Sequence, residues 1–239
     1  MKKKNLVVLS GSGISAESGI STFRGGNGLW DNVPVEEICT PEGWIRNPSK
    51  VLRFYNERRA QLEGCEPNEA HRIVAQLEDS FNVCVVTQNV DNLHERAGSS
   101  RVLHLHGELT KVRPEDCYTS SDGFSEKYVT DIGYRPVSLG ETGGPHGRQL
   151  RPHIVWFGEA VPNLEKAAAL VSVADILLIV GTSLQVYPAA SLYNFAPVQC
   201  RIFLIDPDSH LGSHIPGVTF INEVATAGMR KFRQLIISQ

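Results

Sequence analysis

NLVVLSGSGISAESG, residues 5–19, decides how this chain folds. Its first six residues form an apolar run with no polar alternation. Such a run is buried on both faces, as in a parallel sheet covered by helices. Gly11, Gly13 and Gly19 then permit a tight turn and close approach of backbone to a phosphate, with a following helix aiming its amides at the anion. The spacing is not G-x-G-x-x-G, so the turn alone supports nucleotide binding and plain strand–helix packing equally.

The same pattern recurs down the chain. NVCVVT (82–87), HIVWF (153–157), ILLIVG (176–181) and RIFLID (201–206) read as further buried strands. Helical spacing covers Val51 to Leu62, Ala70 to Leu77, Leu164 to Val171 and Val224 to Ile237. The expected fold is therefore α/β: a Rossmann-like parallel sheet with helices on both faces, plus a smaller inserted module. The 239 residues fit one such domain. Its larger part is expected at about 1–30, 70–107 and 151–239, and the small module at about 31–69 and 108–150. Ligands in such sheets collect at the carboxyl ends of strands near a topological switch point. TQNVDNLHERAG (87–98) follows a strand there and offers Thr87, Gln88, Asn89, Asp91, Asn92, His94 and Glu95.

Bulk properties narrow the function classes. A formal charge of −3 implies no broad attraction to nucleic acid, and no apolar run reaches membrane-spanning length. KKK at 2–4 lacks the apolar stretch of a signal peptide. Five scattered cysteines without a C-x-x-C pair argue for a reducing cytoplasm rather than a disulfide framework.

GSGISAESGISTFRG, TQNVDNLHERAG, LHLHGEL, RPHIVWFGE, GTSLQVYPA and IDPD occur in this order over nearly the whole chain. The series resembles the sirtuins, NAD-dependent protein lysine deacylases. The resemblance implies a Rossmann-like NAD domain and acylated lysine side chains of proteins entering a cleft beside a small module. It implies that Gly11, Ser12, Gly13, Ile14, Glu17, Phe23 and Arg24 wrap the NAD phosphates and nicotinamide ribose. Gln88, Asn89 and Asp91 match the ribose and nicotinamide pocket, and Gly181, Thr182 and Ser183 the adenosine-side turn. His106 matches the catalytic histidine, acting with Asn89. Val155, Phe157, Gly158 and Glu159 match the segment that pairs with the substrate backbone. Asp206 stands where the family usually places an Asn on the adenine ribose; it keeps an acceptor there and would repel a 2′-phosphate, favouring NAD over NADP.

The chemistry implied suits these residue types. A carboxamide needs a donor and an acceptor, which Asp and Asn groups supply. The acyl oxygen is a weak nucleophile that must be held over the anomeric carbon, and His106 has the titration range of the base that then activates a ribose hydroxyl. His71, His94 and His104 are read instead as structural hydrogen-bonding side chains, and Trp156 as a core residue. Asp91 can serve as a helix cap and a ligand at once.

Besides Asp206, the chain departs from the family in two places, and one further stretch narrows the substrate. Most sirtuins carry two C-x-x-C pairs for a structural zinc; here that region holds Cys117 alone, with distant His146 and His153, so a metal-free module is expected. Ser21 and Thr22 replace the usual Pro-Asp, and Thr22 also occurs in the acyl-specific branch. Tyr55 and Arg58 in RFYNERRAQ lie three apart, on one helical face. They resemble the Tyr-x-x-Arg signature of enzymes that remove succinyl, malonyl or glutaryl groups, since a guanidinium can fork onto a carboxylate. Cys39 would be the small residue that leaves room for such an acyl chain. Mono-ADP-ribosyl transfer and a non-catalytic NAD-binding module remain alternatives; the sequence does not specify an oligomeric state.

Overall fold

The computed structural model describes residues 3–22, 34–119, 123–124, 126–211 and 215–237. Among them the strands are β1 (Asn5–Ser10), β2 (Asn82–Thr87), β3 (Val102–His104), β4 (Gly107–Pro114), β5 (Tyr118–Thr119), β6 (Gly123–Phe124), β7 (Thr130–Asp131), β8 (Thr142–Gly143), β9 (Arg148–Ile154), β10 (Ile176–Val180), β11 (Arg201–Ile205) and β12 (Thr219–Ile221). One parallel sheet runs in the order β12-β11-β10-β1-β2-β3.

Alternate residues of its strands feed two separate cores, as the period of two requires. Leu6, Val8, Val83, Val85, Leu178 and Phe203 pack on one face with Ile73 and Val74 of helix Glu69–Gln76 and Met229 and Phe232 of helix Ala225–Ile237. Val7, Leu9, Val86, Leu177, Ile179 and Leu204 pack on the other with Ala167 and Val171 of helix Leu164–Val171 and with Leu192. The fold is thus α/β, a Rossmann-like sheet with helices on both faces. Each fully buried Leu, Val or Phe contributes roughly 1.5–3 kcal/mol, which explains the absence of polar residues inside these strands.

A third core lies apart from the sheet. Ile38, Trp44, Val51, Leu52, Tyr55 and Leu62 meet Leu109, Val112, Leu150, Ile154 and Trp156. It joins the helical segment 35–63 to a small antiparallel sheet of order β7-β4-β9-β8. Helix Pro48–Glu63 starts with Pro48 after Asn47, whose side chain accepts from the Lys50 N–H, and ends at Gly64. Val51, Leu52, Tyr55, Arg59 and Leu62 form its buried stripe.

Two expectations need correction. The run at 153–157 does not join the parallel sheet: its first two residues close β9, which pairs antiparallel with β4, and the rest turns away beside the module core. Hydrophobic runs report burial, not which sheet buries them. The stretch 108–150, read as poorly periodic, contains most of that antiparallel sheet. Among the described residues, no helix is long and apolar enough to cross a membrane.

Candidate active site

The strand order reverses between β1 and β10, so the loops leaving these strands diverge. Register keeps their ends level: Ser10 lies opposite both Val180 and Thr87. A cleft of about 580 Å³ opens there and extends to the small module.

Glycines make its floor. The Gly11 N–H donates to Val180 O (3.1 Å) and the Gly13 N–H to Gly181 O (2.8 Å). A Cβ on Gly13 would meet Gly181 Cα at 2.7 Å, and one on Gly181, at φ +63°, would meet Ile14 N at 2.3 Å. The two turns nest only because neither has a side chain. The helix expected after this turn is a single turn, Gly13–Ala16. Gly11, Ser12, Gly13, Glu17, Thr182, Ser183 and Asp206 line the cleft, whereas Ile14 is buried in the sheet core beneath it. The Glu17 carboxylate accepts from Thr226 N (2.9 Å) and Oγ1 (2.7 Å), tying the floor to the last helix. Asp206 Oδ1 accepts from Asp208 N, and burial raises its carboxyl above the usual range. Phe23 and Arg24 lie outside the described residues.

The stretch after β2 forms the deepest wall. Asn89, 3% exposed, is held at three points. Its N–H donates to Thr87 Oγ1 (3.0 Å), its Nδ2 to Ser15 Oγ (3.1 Å), and its carbonyl accepts from His104 Nδ1 (2.9 Å). Its Oδ1 is buried with no partner among the described residues. Ser15 Oγ donates to Asp91 Oδ2 (3.0 Å), and the Leu93 N–H donates to Asp91 Oδ1 (3.1 Å), so Asp91 opens a helical turn and faces the cleft at once. Burial raises the Asp91 carboxyl; the Leu93 and Ser15 bonds counter it. Gln88 Nε2 donates to Thr182 Oγ1 (2.9 Å), bridging the loops after β2 and β10.

His106 follows β3, half-buried on the cleft wall. Gln88 O lies 3.0 Å from its Nδ1. A carbonyl only accepts, so Nδ1 carries the proton and Nε2 keeps its lone pair in the neutral ring. Burial lowers the imidazole pKa, against the Gln88 carbonyl, which favours that neutral form. Gly107, at φ +81°, follows; a Cβ there would lie 2.0 Å from His153 O. Three other histidines, His71, His94 and His104, are buried behind the wall. His94 Nε2 is 3.0 Å from Ser10 Oγ, His71 Nε2 is 3.4 Å from Ser15 Oγ, and His104 Nε2 is 2.8 Å from Glu95 Oε1.

The module supplies the opposite end. Cys39, Tyr55, Arg58, Val155, Phe157, Gly158 and Glu159 all line the cleft. The Val155 N–H donates to His106 O (2.9 Å) and the Phe157 N–H to Cys39 O (3.0 Å). The Glu159 carboxylate is committed internally, accepting from Arg151 (2.6 and 3.1 Å), Arg113 (3.2 Å) and Trp156 N (2.8 Å), so it braces this turn. Arg58 lies over the Phe54 ring (5.4 Å), and its Nε is shielded from water without a hydrogen-bond partner among the described residues. Sequence reasoning missed Ser15, the joint between Asn89 and Asp91; its only signal was a hydroxyl inside the glycine-rich turn.

A Sir2 family model matches residues 11–188. The chain is 52% identical over 239 residues to an NAD-dependent protein deacylase of Bacteroides thetaiotaomicron, covering 98% of both. It is 51% identical over 235 residues to one of Helicobacter pylori, again covering 98% of both. Among solved structures it is similar to a Sir2 homologue bound to NAD (TM-score 0.84, 36% identity, 99% of this chain and 90% of that one). It is also similar to a Sir2 complex with a p53 peptide and NAD+ (TM-score 0.77, 26% identity, 99% and 95%).

Proposed function

The chain belongs to the Sir2 family, and on that premise we propose that it is an NAD-dependent protein-lysine deacylase that prefers succinyl- and malonyl-lysine to acetyl-lysine. The residues fit the dinucleotide. The nested turns bring Gly11, Ser12, Gly13, Thr182 and Ser183 to the cleft, and Asn89 Oδ1, buried without a partner among the described residues, is an acceptor suited to a carboxamide or hydroxyl donor. NAD supplies the ADP-ribosyl group that receives the acyl chain and the nicotinamide that leaves. Asn89 and Asp91, locked by Ser15, orient the nicotinamide end. His106 Nε2 takes a ribose hydroxyl proton as the acyl group transfers; its Nδ1–H bond to Gln88 O fixes the tautomer. Asp206 serves the adenosine ribose, and the 155–158 segment borders the peptide path.

The observation that carries the acyl preference is Arg58: a guanidinium on the cleft wall, one helical turn from Tyr55, with a buried Nε that has no hydrogen-bond partner among the described residues. A carboxylate on the acyl chain would give that group its charge-assisted partner. In keeping with the single cysteine of the 108–150 stretch, the module needs no metal. Five unpaired cysteines suit a cytoplasmic setting.

Incubation with NAD and acylated peptides tests this. O-acyl-ADP-ribose and free nicotinamide are expected; ADP-ribosylated protein would indicate mono-ADP-ribosyl transfer, and unchanged NAD a binding module. Arg58→Met should lower the succinyl-to-acetyl ratio of kcat/KM by about tenfold to a hundredfold, since a hydrogen bond to a charged group contributes roughly 1.5–3 kcal/mol. An unmoved ratio would make Arg58 a solvated helix residue.

A further inference from the structure

Trp156 is 2% exposed and packs in the module core, yet it is one of the residues that line the cleft. Its Nε1–H donates to the Tyr55 hydroxyl oxygen at 3.0 Å. Tyr55 in turn donates to Cys39 Sγ at 3.6 Å. The indole cannot easily turn. The Arg151 guanidinium lies 3.3 Å from its ring centre, and the Trp44 ring packs at 5.8 Å. Glu159 holds both residues of this stack, accepting from the Trp156 backbone N–H and from two nitrogens of Arg151.

A phenol has one proton and two lone pairs. The Trp156 indole Nε1–H occupies one lone pair and orients the oxygen. The proton rests on a weak acceptor, because burial pushes the Cys39 thiol up to about 11 and keeps it neutral. It is therefore held loosely and can swing to a stronger acceptor. Donation into the phenol oxygen also polarises the O–H and strengthens it as a donor. Arg58 stands one helical turn from Tyr55, on the same cleft wall.

From this geometry we infer that Trp156 is a specificity-determining positioning residue: its indole N–H sets the Tyr55 hydroxyl to donate, with Arg58, to the carboxylate of an acidic acyl chain. The inference rests on the acidic-acyl reading of the cleft. Cys39 is the resting acceptor that the carboxylate displaces.

The test is a double-mutant cycle read as the succinyl-to-acetyl ratio of kcat/KM. Trp156→Phe keeps a ring against Arg151 and deletes the N–H. It should lower the ratio about three- to tenfold, as loss of one neutral hydrogen bond implies, through a raised KM for the succinyl peptide. Tyr55→Phe should do the same, and Trp156→Phe should have no further effect in the Tyr55→Phe background. Should Trp156→Phe fail to fold, replacement of Trp156 by 3-benzothienylalanine, which has sulfur in place of N–H, asks the same question with an unchanged shape. Additive losses, or an unmoved ratio in a folded variant, would overturn the inference and leave Trp156 as packing. A wild-type ratio at or below one would overturn the acidic-acyl reading and this inference together. A ratio above one that ignores Trp156 sinks this inference alone.

Discussion

Glu95→Gln should flatten the pH dependence of stability above pH 6.5. His104 is 7% exposed, with Nδ1 on the Asn89 carbonyl and Nε2 on the Glu95 carboxylate. Both partners only accept, so both ring nitrogens must donate and the ring is an imidazolium. Burial opposes that charge, but the Glu95 hydrogen bond and charge, with Glu108 and the Asn89 carbonyl, raise the His104 pKa overall above 6.5. A raised histidine contributes fully below its unfolded pKa of about 6.5, and the contribution is lost as pH rises through the higher folded value. Burial raises the Glu95 carboxyl, but the His104 hydrogen bond and charge lower it overall, so its contribution holds above the unfolded value near 4.5 and is lost as pH falls through the folded one. The pair therefore stabilises most between about 4.5 and 6.5. Charge-assisted bonds contribute roughly 1.5–3 kcal/mol, and the 39% exposure of the Glu95 side chain places this one near 1.5. In a domain of this size that is a Tm difference of about 3–6 °C. The glutamine amide of the variant can donate to Nε2 of a neutral ring, so the contacts survive while the charge goes. Thermal or urea unfolding at pH 6 and pH 9 is the assay. Equal pH slopes in wild type and Glu95→Gln would refute the imidazolium assignment.

His106→Ala should retain its fold, measured by circular dichroism, and lose deacylation, because it deletes the proposed base and only one side-chain contact with the backbone. Full activity in the folded variant would remove His106 from the chemistry. Elemental analysis should find no stoichiometric zinc, and a chelator should leave Tm unchanged; one zinc per chain with unfolding on chelation would contradict the metal-free module.

The five buried strands of the sequence reading came from continuous apolar runs, and four of them joined the parallel sheet because both of its faces are covered. The two edge strands, Val102–His104 and Thr219–Ile221, are three residues each, too short to show any period. At 153–157 the burial was legible but the partner was not: Ile154 and Trp156 pack in the module core, while the Val155 N–H bonds to His106 O. Nothing local in HIVWF encodes a partner strand so far upstream. In the candidate site, side chains that project from loops were visible as polar clusters. Those acting through a second residue were not. Ser15 and Trp156 matter only because Asn89 and Tyr55 lie against them.

That second layer also explains why so many polar side chains gather after a core strand at 87–95. Asn89 alone uses its N–H, its carbonyl and its Nδ2 on Thr87, His104 and Ser15. Each bond removes a group that would be costly to bury unpaired, and together they fix both the backbone and the amide rotamer. One atom, Oδ1, is left without a partner among the described residues, aimed by everything else. Gln88 and Asp91 follow the same scheme, with Thr182 and Ser15 as their supports. A loop built only to cap a helix needs one side-chain acceptor, which Asp91 Oδ1 already supplies to Leu93. The remaining groups are arranged before any ligand arrives, so binding need not reorganise them; such preorganised dipoles stabilise developing charge more than mobile ones do. The fixed hydrogen-bonding groups exceed what capping a helix requires, and that surplus is the ground for proposing this strand end as the site of chemistry.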